Sequence, residues 1–125
     1  MEGVEFKVYI TNDIVIKESK NKHFTTDINN IAKWSQLLSK TIPEIEPHYV
    51  INNKLVTREI KGYKPDLKEY NKLWQPKLND ILNRLNEKNF NLSDISYNNV
   101  IIENNKLKLI DLGKLRQVKQ NANKN

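Results

Sequence analysis

Asp94-Ile95-Ser96-Tyr97-Asn98-Asn99-Val100-Ile101-Ile102-Glu103-Asn104-Asn105-Lys106-Leu107-Lys108-Leu109-Ile110-Asp111-Leu112-Gly113 is the stretch on which the reading of this chain turns. Val100 to Ile102 is a β-branched run, Glu103 to Lys106 carries turn residues, and Leu107 to Ile110 is apolar again with one lysine. That pattern predicts two strands joined by a tight turn. A hairpin brings its outer ends together, so Asn99 and Asp111 are expected to be neighbours, with Asp94 on the loop before them. A carboxylate beside an amide carbonyl is a pair of hard oxygen ligands, the kind Mg²⁺ takes when phosphates and water complete its shell.

Upstream, Phe90 and Leu92 lead into this stretch from a helix carrying Leu78, Ile81, Leu82 and Leu85, with Asn89 as its stop. Pro65-Asp66 starts a preceding helix with Leu67, Tyr70, Leu73 and Trp74, and Pro76 is expected to interrupt between the two. His48–Ile51 and Leu55–Ile60 flank Asn52-Asn53-Lys54 as another hairpin, after a connector from Pro43 to Pro47. Thr25-Thr26-Asp27 offers caps for a helix whose stripe is Ile28, Ile31, Trp34, Leu37 and Leu38, ending near Lys40 or Thr41. Residues 5–18 read as a first hairpin about Thr11-Asn12-Asp13. Beyond Gly113 the apolar pattern fades, and a frayed tail is expected past about Val118. Strands and helices do not alternate singly, so the class is α+β rather than a doubly wound parallel sheet. There is no internal repeat.

The 125 residues suit one domain, and 38% hydrophobic with 29% charged residues suits a globular chain. No apolar run approaches the ~20 residues of a membrane span, and Met1-Glu2-Gly3-Val4-Glu5-Phe6 lacks the pattern of a signal peptide. Cysteine is absent, which removes disulfides and thiolate metal sites and fits the expected location, a reducing cytoplasm. The net charge of +6 comes mostly from scattered lysines with acids close by, as in Lys17-Glu18 and Arg58-Glu59. A nucleic-acid surface calls for a denser stripe interleaved with aromatics, so that partner class ranks low. His23 and His48 have no ligand spacing around them, and no zinc site is expected.

Together these motifs resemble the protein-kinase-like fold. The family's catalytic loop reads H-R-D-x-x-x-x-N, followed by a hairpin and D-F-G. The corresponding residues here are Leu92-Ser93-Asp94, Asn99 and Asp111-Leu112-Gly113. Ile14-Val15-Ile16-Lys17 resembles the strand that carries the family's lysine, the helix from Asp27 takes the place of αC, and Leu55–Gly62 resembles the adenine-binding strand and hinge. The loop with Asp94-Ile95-Ser96 is similar to those of small atypical kinases and aminoglycoside-phosphotransferase-like enzymes. Departures are equally plain. Leu92 stands for the family's histidine, no Gly-rich loop precedes Lys17, no Glu on the helix can pair Lys17, and Arg58 replaces an apolar residue before the hinge.

The resemblance implies a minimal kinase-like domain over 1–118, with an N-lobe-like part to residue 62 and a truncated C-lobe-like part from 63, lacking most of the C-terminal lobe. Residues 119–125 are expected to be a polar tail. It implies ATP and Mg²⁺ as ligands, Asp94 as the catalytic carboxylate, and Asn99 and Asp111 as metal ligands. It further implies Lys17 as the phosphate-neutralising cation, and Glu59, Ile60 and Lys61 as the hinge that meets adenine. The expected activity is transfer of the γ-phosphate to a protein or small-molecule hydroxyl. The alternatives are an inactive pseudokinase-like protein that inhibits or scaffolds a protein partner and, more weakly, a basic nucleic-acid binder.

Overall fold

Asn12-Asp13, Asn52-Asn53 and Asn104-Asn105 all lie at positive φ, between 49° and 67°. Two successive residues in that region make the turn whose twist matches a right-handed hairpin, and Asn and Asp tolerate it better than other side chains. These pairs close the three hairpins of the chain, β1 (Phe6–Thr11) with β2 (Ile14–Ser19), β3 (Tyr49–Ile51) with β4 (Lys54–Arg58), and β6 (Val100–Glu103) with β7 (Lys106–Leu109). The computed structural model describes residues 6–20, 25–95 and 97–118. The expected polar tail, 119–125, lies outside them.

The first two hairpins join into an antiparallel sheet of order β1-β2-β4-β3. Helix α1 (Thr25–Leu38) crosses β3 and β4. It begins at Thr25, so Thr25, Thr26 and Asp27 belong to its first turn rather than preceding it. Its buried stripe is Ile28, Ile31, Ala32, Ser35 and Leu38, whereas Leu37, expected on that stripe, is exposed. The fold is α+β: a four-stranded antiparallel sheet with one helix, then a long helical segment and further hairpins.

Pro76 does not interrupt the second helical region. Asp66 caps α2 (Leu67–Glu69) by accepting the Glu69 N–H at 2.8 Å, and the chain then widens into a π-helical turn over Tyr70–Trp74 before α3 (Gln75–Glu87). Gln75 donates its N–H to Tyr70 O, one residue further back than in an α-helix. The proline therefore falls in the first turn of α3, where its missing N–H costs nothing. Lys88 caps the C-terminus and Asn89 follows at φ 66°, the left-handed stop expected of it. Leu78, Ile81 and Leu85 are buried against the rest of the core. Among the described residues no helix is long and apolar enough to cross a membrane.

Two short strands close the C-terminal part, β5 (Phe90–Leu92) pairing antiparallel with β8 (Leu115–Gln117). The β6–β7 hairpin is held along both of its strands. Tyr63 exchanges two backbone hydrogen bonds with Ile102 on one side, and Leu109 donates to Glu44 O on the other. Gly62 lies against the same strand. A Cβ there would stand 2.0 Å from Ile102 O and 2.7 Å from its carbonyl carbon, so only glycine allows this approach.

Candidate functional site

A cavity of about 980 Å³ opens between one face of the sheet and the β6–β7 hairpin. Lys17, Glu59, Ile60, Asp94, Asn99 and Asp111 all line it. Six of the seven expected site residues thus converge from β2, the segment after β4, and both ends of the hairpin. Lys61 does not line it. Its ammonium pairs with Asp13, and its N–H donates to Glu103 Oε2 at 2.7 Å. The Glu59 N–H is also engaged, with Asp13 O at 2.8 Å.

Lys17 is 7% exposed, and β-strand alternation points it into the cavity together with its cross-strand neighbour Val8, while its other cross-strand neighbour, Leu55, is buried in the core. Its ammonium donates to Ile110 O at 2.9 Å and to His48 Nε2 at 3.1 Å. Burial pushes it down to about 8, with Asp111 pulling in the opposite direction. The helix carries no acid for this lysine, and His48 takes that place as a neutral acceptor. Its Nδ1 lies 2.9 Å from Glu46 O, so the proton sits on Nδ1 and the Nε2 lone pair faces Lys17. Burial, and then the charge of Lys17, pushes His48 down to about 3.

Helix α1 fixes this imidazole indirectly. The His48 N–H donates to Ser35 Oγ at 2.8 Å, Ser35 Oγ donates to Ala32 O, and Gln36 Nε2 donates to His48 O at 2.8 Å. Sequence reasoning missed His48 because it sought a carboxylate on the helix. The available signal was Ser35, a polar residue on the helix's buried stripe.

A group held neutral below its ordinary pKa stabilises the fold above the unfolded value and loses that contribution as pH falls. From the ordinary His value of 6.5 down to pH 5, His48 is expected to remove about 2 kcal/mol of stability. Urea midpoints measured at pH 7 and 5 test this. His48→Gln should flatten the difference, and an unchanged slope in that variant would assign it elsewhere.

Asn99 and Asp111 are neighbours as expected. The β6–β7 ladder pairs Val100 with Leu109 and continues one step outward, the Ile110 N–H donating to Asn99 O at 3.0 Å. Asn99 ends a short 3₁₀ turn (Tyr97–Asn99), and Asp111 Oδ1 accepts the Gly113 N–H at 2.8 Å, a local turn that fixes its carboxylate. No group of three or more His, Cys, Asp or Glu among the described residues could hold a metal ion. An amide carbonyl and a carboxylate fit Mg²⁺ that draws its remaining ligands from phosphate and water, and do not form a protein-only cage.

Asp94 is exposed at φ 54°, and Lys114 Nζ lies 2.5 Å from its Oδ2. That hydrogen bond holds the Asp94 carboxyl below its usual range. Leu92, where the resemblance expected a histidine, is instead an apolar pin in β5, 6% exposed and paired with Leu115.

Arg58 leaves the apolar role it was compared with. Its guanidinium binds Glu46 at 3.0 and 3.1 Å and Glu103 at 2.9 Å twice, and Lys108 reaches Glu46 at 2.8 Å. Bidentate pairing of this kind fixes geometry as well as charge. It ties β4 to the connector before β3 and to the β6–β7 hairpin, whose outer ends carry Asn99 and Asp111.

No family model matches the chain, and no curated protein matches it. Among solved structures, one described as a co-crystal of WbdD with the kinase inhibitor LY294002 is similar at 16% identity and a TM-score of 0.49. The match covers 93% of this chain and 32% of that one, so the chain spans about a third of that protein's length.

Proposed function

We propose that the chain is a minimal kinase-like protein that binds Mg-ATP in this cavity and transfers the γ-phosphate to a hydroxyl of a protein or small molecule. The observation that carries the reading is the convergence of Lys17, Asp94, Asn99 and Asp111 on one cavity from segments up to 94 positions apart, 111 minus 17. Phosphoryl transfer asks mainly for positioning and charge neutralisation, and these side chains supply both.

Lys17 neutralises the phosphates nearer the nucleoside, its direction fixed by His48 and the Ile110 carbonyl. Asn99 and Asp111 would hold Mg²⁺, which when bound neutralises phosphate charge. Glu59 and Ile60 border the base, and with the Glu59 and Lys61 N–H groups engaged, Ile60 is the hinge residue left to donate. Asp94 orients the acceptor hydroxyl and accepts its proton. The hydroxyl oxygen bonds to the γ-phosphorus, the bond to the bridging oxygen breaks, and ADP leaves with that electron pair.

Melting the protein with and without millimolar Mg-ATP tests the binding half. At a hundred times Kd, a ligand specific to the folded state adds about 2.7 kcal/mol, a rise of several degrees. No rise would end the nucleotide reading. Asp94→Asn should keep that rise while turnover falls on the order of a hundredfold or more.

A second reading has its own support. Lys114 on Asp94 and His48 on Lys17 satisfy the cavity's charges from within, as a binding protein without catalysis would require. Binding of Mg-ATP with no turnover toward any hydroxyl would select it.

A further inference from the structure

Lys114 is placed by three independent constraints. On its N-terminal side the Gly113 N–H is bound to Asp111 Oδ1, and a tight turn spans it, the Leu115 N–H donating to Leu112 O at 3.0 Å. On its C-terminal side Leu115 is fully buried and locked to Leu92 in the β5–β8 ladder. The side chain reaches into the mouth of the cavity, where its ammonium meets Asp94.

Resting on the Mg-ATP reading above, we propose that Lys114 is the positioning cation for the terminal phosphate of a nucleoside triphosphate, and that Asp94 is its counter-ion in the free protein. The argument is one of charge. A terminal phosphate beside Asp94 sets two anions against each other, and an ammonium between them reverses the sign of that interaction. Among the described residues three other cations line the cavity, and of these Lys20 stands just past the end of β2, whereas Lys114 is the one paired with Asp94. Lys17 is buried and directed at His48 and Ile110 O, and Arg58 is held by Glu46 and Glu103. Lys114 is 42% exposed at its side chain and already faces the carboxylate beside which a terminal phosphate would lie. In this arrangement Lys17 and Lys114 grip the two ends of the phosphate chain, and selection of triphosphate over diphosphate belongs to Lys114.

Titration calorimetry with Mg-ATP and Mg-ADP on the wild type, Lys114→Ala and Lys114→Arg tests this. Lys114→Ala should weaken Mg-ATP by about three- to tenfold and leave Mg-ADP within about twofold, with Lys114→Arg recovering much of the loss. The melting temperature without nucleotide should not change, since the pair is solvent-exposed. Equal weakening of both nucleotides, or of neither, overturns the assignment while leaving nucleotide binding in place. A wild type that binds neither nucleotide removes the underlying reading and this one with it.

Discussion

On the proposed Mg-ATP reading, Asp111→Ala is expected to erase the rise in melting temperature that the nucleotide would give the wild type. At a hundred times Kd that rise corresponds to about 2.7 kcal/mol, on the order of 10 °C for a domain of this size. Two losses combine in the variant. The carboxylate beside Asn99 is gone, and with it the charge that holds Lys17 protonated against the pull of its burial. Lys17 then drifts further toward neutrality at working pH, and phosphates bound as proposed would lose both a metal ligand and part of their cation. Alanine also gives up the bond from the Gly113 N–H, worth about 1 kcal/mol, so the ligand-free protein melts somewhat lower. Asp111→Asn separates the effects, because the amide oxygen can still accept that bond while the charge is absent. A full nucleotide-dependent rise in Asp111→Ala would remove this residue from the site.

Gly62→Ala is expected to destabilise the protein by about 3 kcal/mol or more, a large share of the roughly 5–15 kcal/mol that holds a domain together. The obstacle is backbone. Ile102 O and its carbonyl carbon occupy the space of a Cβ, and Ile102 itself is 1% exposed and hydrogen-bonded to Tyr63 in both directions. Neither side can yield without opening the backbone pairing of Tyr63 with Ile102 on β6. Urea titration should show a lower midpoint with an unchanged slope, since the unfolded surface is the same. A loss below about 0.5 kcal/mol would mean that the approach relaxes easily, contrary to this packing.

Local chemistry was legible in the sequence wherever a few adjacent residues decide the outcome. The three turns follow from Asn-Asp or Asn-Asn between apolar runs, and the junction of Asn99 with Asp111 follows from the third of them. What depends on distant partners was not legible. β8 is three residues long, too short for a periodic pattern, and exists because Leu115 and Gln117 find β5. Pro76 reads as a break, yet one widened turn absorbs it. The partner of Lys17 is expected on the helix and lies instead at His48, immediately before β3 and 31 positions away. Lys61 reads as part of the hinge, but Asp13 and Glu103 draw it aside. In each case a contact far along the chain outweighed the nearest neighbours.

The β5–β8 ladder has a wider consequence. Its last rung, Leu92 with Leu115, brackets the segment that carries Asp94, Asn99, Asp111 and Lys114, while the hairpin within that segment is held separately by Tyr63 and Glu44. Asp94 and Lys114 stand closest to the rung and depend on it most directly. Slackening those three backbone rungs would shift that pair before it shifted Asn99 and Asp111.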